Sequence, residues 1–383
     1  MSTPYRLAGL ELASAIVLGR DPGTTPLEPA SSAATPRAAL EEVLVEALQR
    51  SPCVIGFSGG RDSSGLLALA VHVARTQGLA MPVAVTNVFP TDAASAESEW
   101  QEMVIRHIGP TDWERLRFTD ELDVIGPVAQ PALREWGPCF PFNGHFGLPA
   151  ISLARHGCYL TGIGGDEVFQ LSERNRLGAV LTGRERPGRR HLRTGALALL
   201  PSRARRYYYQ RRMPELPWLK PDARNELKRR IAEDEARQPI WNAPDLLKDY
   251  WCDRRRLALT STLDAYGASC STVVVHPFED ARFLRAVARA RPRVGWLKRE
   301  DAMRELFGDL LPDPLISRRS KASFSHSFFN AFSRSFVETW SGQGLDNSLI
   351  DAERLLDTWR EPVPDARSYS LVQAAWCASS SDH

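Results

Sequence analysis

Apolar residues along this chain fall into short runs and helical repeats that alternate. Cys53 to Phe57 reads as a buried strand that breaks at Ser58-Gly59-Gly60, after which Leu66, Leu67, Leu69, Ala70 and Val73 repeat at helical spacing. Before it, Ala39, Leu40, Val43, Leu44, Ala47 and Leu48 share one face of a helix. Beyond it, the pattern predicts a strand over Pro82 to Val88, a helix over Glu97 to Ile108 and a short strand over Glu114 to Phe118. Helices over Glu121 to Glu135 and His145 to His156 follow, then a strand over Cys158 to Thr161. Strands alternating with helices imply an α/β fold, a parallel sheet with helices on both faces. Helices near Ala223 to Arg237, Leu246 to Tyr266 and from Asp280 onward elaborate it into a helical C-terminal half.

Residues 1–37 carry a short apolar piece, Leu7 to Leu18, and then a stretch rich in Pro, Gly, Thr, Ser and Ala. That composition reads as a lead-in and linker, with one domain over 38–383. At 43% hydrophobic and 25% charged the chain can bury a sizeable core, and a net charge of +2 gives no global pull toward nucleic acid or membrane. No apolar run approaches the roughly 20 residues that span a bilayer, and no signal-peptide core opens the sequence, so the expected location is the cytoplasm. The cysteines show no C-x-x-C or metal spacing, which predicts reduced, packed thiols.

The chemistry begins at the break after the first strand. A strand, a tight glycine turn and a helix N-terminus leave backbone N–H groups pointing outward, with the helix dipole behind them, which makes an anion cradle. Gly59 and Gly60 let the backbone approach a phosphate, and Ser58, Ser63 and Ser64 add hydroxyl donors. Asp62 would repel that phosphate unless a divalent cation lies between them; the alternative is that it only caps the helix. No G-x-x-x-x-G-K-[ST] is present, so this is not a Walker loop. Ligands on parallel sheets bind outside the C-terminal strand ends, which makes Thr86 either part of a nucleotide wall or an ordinary strand-end residue. The Trp136 to Asn143 loop could line a substrate pocket or only pack its turn. A second glycine turn, Gly162-Ile163-Gly164-Gly165, carries Asp166 and Glu167 at its tip.

Ser58-Gly59-Gly60-Arg61-Asp62-Ser63 resembles the pyrophosphate-binding loop of the ATP pyrophosphatases. Together with Thr161-Gly162-Ile163-Gly164-Gly165-Asp166-Glu167 it resembles the synthetase domain of the asparagine synthetase family, whose fold is of the adenine nucleotide α-hydrolase type. Val273 to Asp280 is similar to that family's V-x-x-P-F-x-D segment, and Leu311-Pro312 with Arg319 to Phe324 is similar to its L-P and R-x-K-x-x-F stretch. The resemblance runs from about Ala39 to Phe329. It implies that ATP and Mg²⁺ are used, with Asp62 and Asp166 converging on the metal. Ser58, Gly59, Gly60, Ser63, Gly164 and Gly165 would lie at the phosphates, and Glu167 would support the metal or orient a reacting group.

Three departures from the family refine that expectation. Ser2 and Thr3 follow Met1 where glutamine-dependent members carry a catalytic cysteine, so no glutamine hydrolysis is expected. Ile163 stands where asparagine synthetases generally have Glu and β-lactam-forming relatives have Tyr; the G-x-G-G-D-E form occurs in relatives that include lasso-peptide macrocyclases. Glu300 occupies the position of the family's catalytic lysine, which leaves Lys298 as the preferred cation over Arg299, with Lys321 as a second pyrophosphate contact. The alternative for Lys298 to Asp301 is a solvated helix start.

A basic insert at about 170–220 interleaves Arg203, Arg205, Arg206, Arg211 and Arg212 with Tyr207, Tyr208 and Tyr209. It reads as a solvated lid over the ATP site, or as a patch for RNA, an acidic peptide or a carrier. The whole implies an AMP- and pyrophosphate-forming amide ligase acting on a small-molecule or peptide carboxylate and amine in natural-product or peptide modification. The alternative is an asparagine synthetase using ammonia, free or from a separate glutaminase. A peptide-recognition partner is compatible with the insert, whereas the His276-Pro277-Phe278 match and the lack of paired catalytic cysteines argue against a nucleic-acid substrate.

Overall fold

The computed structural model describes residues 3–380 except 28–33, 91–96, 171–179, 181–182, 184–185, 187, 190–192, 194–195, 198–199, 212–214, 238, 240–241 and 319–324. Among the described residues five strands form one sheet: β1 (Cys53–Gly56), β2 (Val83–Val88), β3 (Trp113–Arg117), β4 (Cys158–Leu160) and β5 (Val273–Val275). Their order is β3-β2-β1-β4-β5, and every neighbouring pair is parallel. Residues along each strand alternate between two cores, as the pleat requires. Ile55, Ala84 and Leu160 face the larger core, while Val54, Val85 and Tyr159 face the other.

The larger core is built by α2 (Pro36–Leu48), α3 (Arg61–Gln77) and α4 (Ser98–Ile108), whose apolar stripes were legible in the sequence. Thr35 caps α2 by accepting from the Ala38 N–H, and the short α1 (Gly9–Ser14) precedes both. On the opposite face lie α5 (Gln130–Trp136), α6 (Leu148–Leu153) and, further along the chain, the helix Arg254–Ser269. The later helices that matter here are α7 (Gly165–Val168), α8 (Ser202–Gln210), α9 (Pro221–Arg237), α10 (Ala243–Trp251), α11 (Arg254–Ser269), α12 (Ala281–Ala290) and α13 (Arg299–Phe307). Helices Ala331–Thr339, Ala352–Arg360 and Tyr369–Ser380 close a separate apolar cluster with Trp218, Leu227 and α1. No described helix is long and apolar enough to cross a membrane.

Three predicted helices differ from the structure. Residues 119–129 are turns, and α5 starts only at Gln130. The buried Asp123 carboxylate accepts from the backbone N–H groups of Ile125, Asn330 and Ser333 and from the Ser333 hydroxyl, offering the backbone an alternative to helix. The predicted helix from His145 is a 3-10 turn, Gly144–Gly147, joined to α6 at Leu148-Pro149, with Gly147 and the fixed φ of Pro149 marking the change. The predicted helix over Leu246 to Tyr266 is α10 and α11, divided where Asp253 caps the Arg255 N–H. There the lead-in inserts its backbone, with Asp21 N–H on the Cys252 carbonyl at 2.8 Å and Arg254 N–H on the Gly19 carbonyl at 3.1 Å.

The lead-in therefore packs against the body of the fold. Leu27 joins the larger core, Ala13 the C-terminal cluster, and Arg20 pairs with Asp249 and, at 3.2 Å, with Asp234.

One helix contact fixes the site's geometry in advance. A Cβ added at Gly65 on α3 would lie 2.7 Å from Cδ2 and 2.8 Å from Cε2 of Phe307, which is wholly buried on α13. Gly65→Ala gains about 1 kcal/mol of helix propensity but forces a ring that has nowhere to move, at about 1–3 kcal/mol. The expected result is a lower melting temperature; a rise would show that the α3–α13 contact is looser than described.

Candidate active site

Both glycine turns leave the C-terminal ends of adjacent strands, β1 and β4, at the point where the strand order reverses direction. That is where open parallel sheets place their ligands. The first turn is held from below: the Phe57 N–H donates to the Val85 carbonyl at 2.8 Å, and the Thr86 hydroxyl donates to the Phe57 carbonyl at 2.5 Å. Thr86 also accepts from the Trp113 indole at 2.9 Å, so its buried hydroxyl is spent on tying β2 and β3 to the turn.

Within the turn the serine hydroxyls meet. Ser58 Oγ and Ser63 Oγ are 3.0 Å apart, and the Gly60 N–H donates to Ser58 Oγ at 3.3 Å. Ser64 sits one step deeper, fully buried, with its hydroxyl unpartnered among the described residues. Gly59 has φ +82°, and a Cβ there would meet Gln101 Cγ at 2.7 Å, so glycine is required on both grounds. Gln101 Nε2 donates to the Ser58 carbonyl at 3.0 Å. Arg318 donates to the Gly59 carbonyl at 3.2 Å, lies 4.6 Å from the Trp100 ring, and makes a bidentate ion pair with Glu97. This pair is only 4% and 6% exposed at its side chains, and it clamps the turn from the α4 side.

The second turn interlocks with the first. A Cβ on Gly165 would lie 2.6 Å from Asp62 Cγ, and one on Gly162 would lie 3.4 Å from the Ser63 nitrogen. Gly164 has φ +91°, which lets α7 start directly beneath Asp62. The two carboxylates that the sequence singles out are thus brought together, and a single guanidinium spans them. Arg299, at the start of α13, donates to Asp62 through Nη2 and to Asp166 through Nη1. Burial raises the Asp62 carboxyl above the usual range while Arg299 draws it back, and Asp62 Oδ1 is buried without a hydrogen-bond partner among the described residues.

The cationic residue at the carboxylates is Arg299, whereas Lys298, preferred on sequence, is exposed and contributes its backbone N–H to the Asp301 carboxylate at 3.1 Å. Helical phase explains the difference. Lys298 is the extended cap of α13, whereas Arg299 shares the inward face with Ala302, Met303 and Leu306 at i+3, i+4 and i+7. Glu300 is paired with Arg304 at 3.1 Å. Lys321 lies outside the described residues.

Glu167 does not join Asp62 and Asp166 at Arg299; it lies 3.7 Å from Arg255 on α11. Ile163 packs against the smaller core on the sheet's other face, the cluster that holds Tyr159, Leu263 and Tyr266. Trp136 stacks on Tyr266 with centroids 5.4 Å apart, so that end of the Trp136 to Asn143 loop packs the fold. Of the basic insert, Arg203, Arg205 and Arg206 lie on α8, Arg206 is 3.5 Å from Glu233, and Arg211 covers the Tyr207 ring at 4.5 Å. Arg174, Arg176, Arg184, Arg190 and Arg212 lie outside the described residues.

Two carboxylates from different turns, one with a buried oxygen unpartnered among the described residues, suit Mg²⁺, which takes one or two protein carboxylates and completes its shell with phosphate oxygens and water. Among the described residues, no group of three or more His, Cys, Asp or Glu side chains is placed to hold a metal ion. A comparison with known protein families matches residues 37–377 to asparagine synthase. No curated protein matches the chain.

Proposed function

The chain belongs to the asparagine synthase family of ATP-dependent carbon–nitrogen ligases, and from that premise we propose that it adenylates the carboxylate of a peptide or natural-product precursor and passes the acyl group to an amine. The observation that carries this reading is the meeting of Asp62 and Asp166 on Arg299 at the ends of β1 and β4. A carboxylate oxygen attacks the α-phosphorus of ATP, the bond to the bridging oxygen of the β-phosphate breaks, and pyrophosphate leaves. The amine then attacks the acyl carbon, AMP departs with the bonding electrons, and the amine proton passes to solvent. The first step builds negative charge on pyrophosphate, and fixed donors aimed at that charge lower its barrier.

In this reading the backbone of Ser58 to Gly60 and the Ser63 hydroxyl hold pyrophosphate, with Gly164 and Gly165 keeping the opposite wall free of side chains. Mg²⁺, held by Asp62 and Asp166, would neutralise phosphate charge when bound. Arg299, freed from the two carboxylates, turns its guanidinium to the phosphates; its planar fork suits bidentate phosphate contact better than a lysine would. Ile163 puts neither a carboxylate nor a phenol of its own where asparagine synthetases generally have Glu and β-lactam-forming relatives have Tyr, which supports a substrate pair other than aspartate and ammonia.

The test is product analysis by the purified protein with ATP and Mg²⁺, against aspartate plus ammonium and against peptides bearing a free amine and an acidic side chain. AMP and pyrophosphate released in response to peptide is the expected result. Aspartate-dependent release would make asparagine the product instead, and ADP with phosphate would overturn the reaction class.

A further inference from the structure

Directly beneath the second glycine turn lies a buried ionisable cluster that the chemistry above leaves unused. Glu279 closes the 3-10 turn Pro277–Glu279 after β5 and is 5% exposed. Its carboxylate accepts the Tyr250 hydroxyl from α10, and Oε2 lies 3.6 Å from the Arg256 guanidinium on α11 while lacking a hydrogen bond of its own among the described residues. Arg256 is itself anchored, donating twice to the Trp251 carbonyl at 3.1 and 2.8 Å and lying 4.3 Å from that residue's ring. The methylene carbons of Glu279 press on the turn above: a Cβ at Gly164 would lie 2.6 Å from Glu279 Cγ and 3.3 Å from the Phe278 carbonyl carbon.

A carboxylate in such a place is expensive, because burying it costs more than its single good hydrogen bond and distant guanidinium return, and an apolar side chain of similar volume would pack the space without that cost. Packing alone therefore gives no reason for an acid here. Its position does, since Gly164 is two residues from Asp166, and the turn's height over Glu279 sets where Asp166 meets Asp62. Resting on the reading of Asp62 and Asp166 as the nucleotide carboxylates, we propose that Glu279 is a positioning residue: gripped by Tyr250 and Arg256, it fixes Gly164 and so presents Asp166 to the bound nucleotide.

The groups facing Glu279 are Tyr250 from α10, Arg256 from α11 and Glu167 from α7, and burial with the Glu167 charge outweighs the two favourable partners, pushing Glu279 up to about 7. His276, on its own segment, is held down to about 4 by burial and by Arg256, and so stays neutral near pH 7. Below about pH 7 Glu279 gains a proton, its attraction to Arg256 is lost, and the grip on Gly164 loosens. The same group sets a stability signature in the ligand-free protein. A carboxyl raised on folding binds its proton more tightly in the native state, so stability falls as pH rises from the unfolded value, about 4.3, to about 7 and is level above.

The experiment measures binding of a non-hydrolysable Mg·ATP analogue by calorimetry between pH 6 and 8.5, with urea unfolding of the ligand-free protein over pH 4.5 to 8. Wild type, Glu279→Gln and Tyr250→Phe are compared. Glu279→Gln is expected to bind the analogue about 10–100-fold more weakly at pH 8 and to lose both the acid limb of binding and the stability slope below pH 7. Tyr250→Phe, which removes only the donated hydrogen bond, should keep the limb and move it to higher pH. Less than a threefold change in binding for Glu279→Gln, or for Tyr250→Phe should the first variant not fold, with the pH profile unmoved, would overturn the inference. No analogue binding by wild type would instead remove the nucleotide reading itself, and this inference with it.

Discussion

Asp62→Asn is expected to lower AMP and pyrophosphate formation by about 10²–10³-fold, the scale of losing one preorganised charge contact in a phosphoryl-transfer site, while the protein stays folded. The asymmetry follows from where Asp62 sits. It is buried against Gly165 and shares Arg299 with Asp166, so asparagine keeps the shape and leaves the guanidinium one carboxylate partner. Burial already raises the Asp62 carboxyl, so neutralising it removes a desolvation cost along with an ion pair. Melting within a few degrees of wild type, together with the activity loss, is the expected pair of results. Because both carboxylates would hold the same Mg²⁺, Asp166→Asn combined with Asp62→Asn should cost far less than the product of the two single losses. Activity within fivefold of wild type for Asp62→Asn would remove the metal and phosphate role assigned to it.

Glu97→Ala should be the most damaging substitution for stability near the site, at about 3–5 kcal/mol. The ion pair it breaks is almost fully buried on both sides, and the change strips Arg318 of a bidentate carboxylate while its Gly59 carbonyl contact and the Trp100 face remain. A guanidinium in that setting draws in water or moves, and either displaces Gly59, where a positive φ and a tight fit against Gln101 leave no slack. The measurement is the urea midpoint with the slope held common between variants. A second variant with Glu97→Met and Arg318→Met should recover much of the loss, since two apolar chains remove the charge as well as the pair. A cost below about 1 kcal/mol for Glu97→Ala would mean that the pair is solvated, against the burial described here.

The sheet was legible because its inner strands are buried on both faces, so that a short continuous apolar run such as Cys53 to Phe57 carries the signal in its own chemistry. The two glycine turns were legible because few backbones other than an anion cradle need Ser-Gly-Gly and Gly-x-Gly-Gly at strand ends. The breaks between helices were not, since residues 121–135 look helical until Asp123 is seen to bind Asn330 and Ser333, more than two hundred positions away. Nor was the clamp, because Glu97 and Arg318 carry no mark in sequence that each is the other's partner. Arg299 was within reach: following the apolar phase of α13 back from Leu306 points inward at Arg299 and outward at Lys298. The family's spacing points to residue 300, whereas the helix's own period points to Arg299. Glu279 reads in sequence as one acid among many, and only its place under Gly164 distinguishes it.

The contact between Gly65 and Phe307 makes α13 a lever. Its fulcrum is the Phe307 ring against α3, and its free end, about 12 Å away at the rise of an α-helix, carries the guanidinium of Arg299. Asp62 stands on the same α3, so the charge and its counter-charge ride on two rods braced at one notch. A side chain that fills the notch tilts one rod against the other and moves Arg299 without touching it. Substitutions far from the nucleotide, around residue 65 or 307, should therefore surface in a screen for altered turnover as readily as those at the turns themselves.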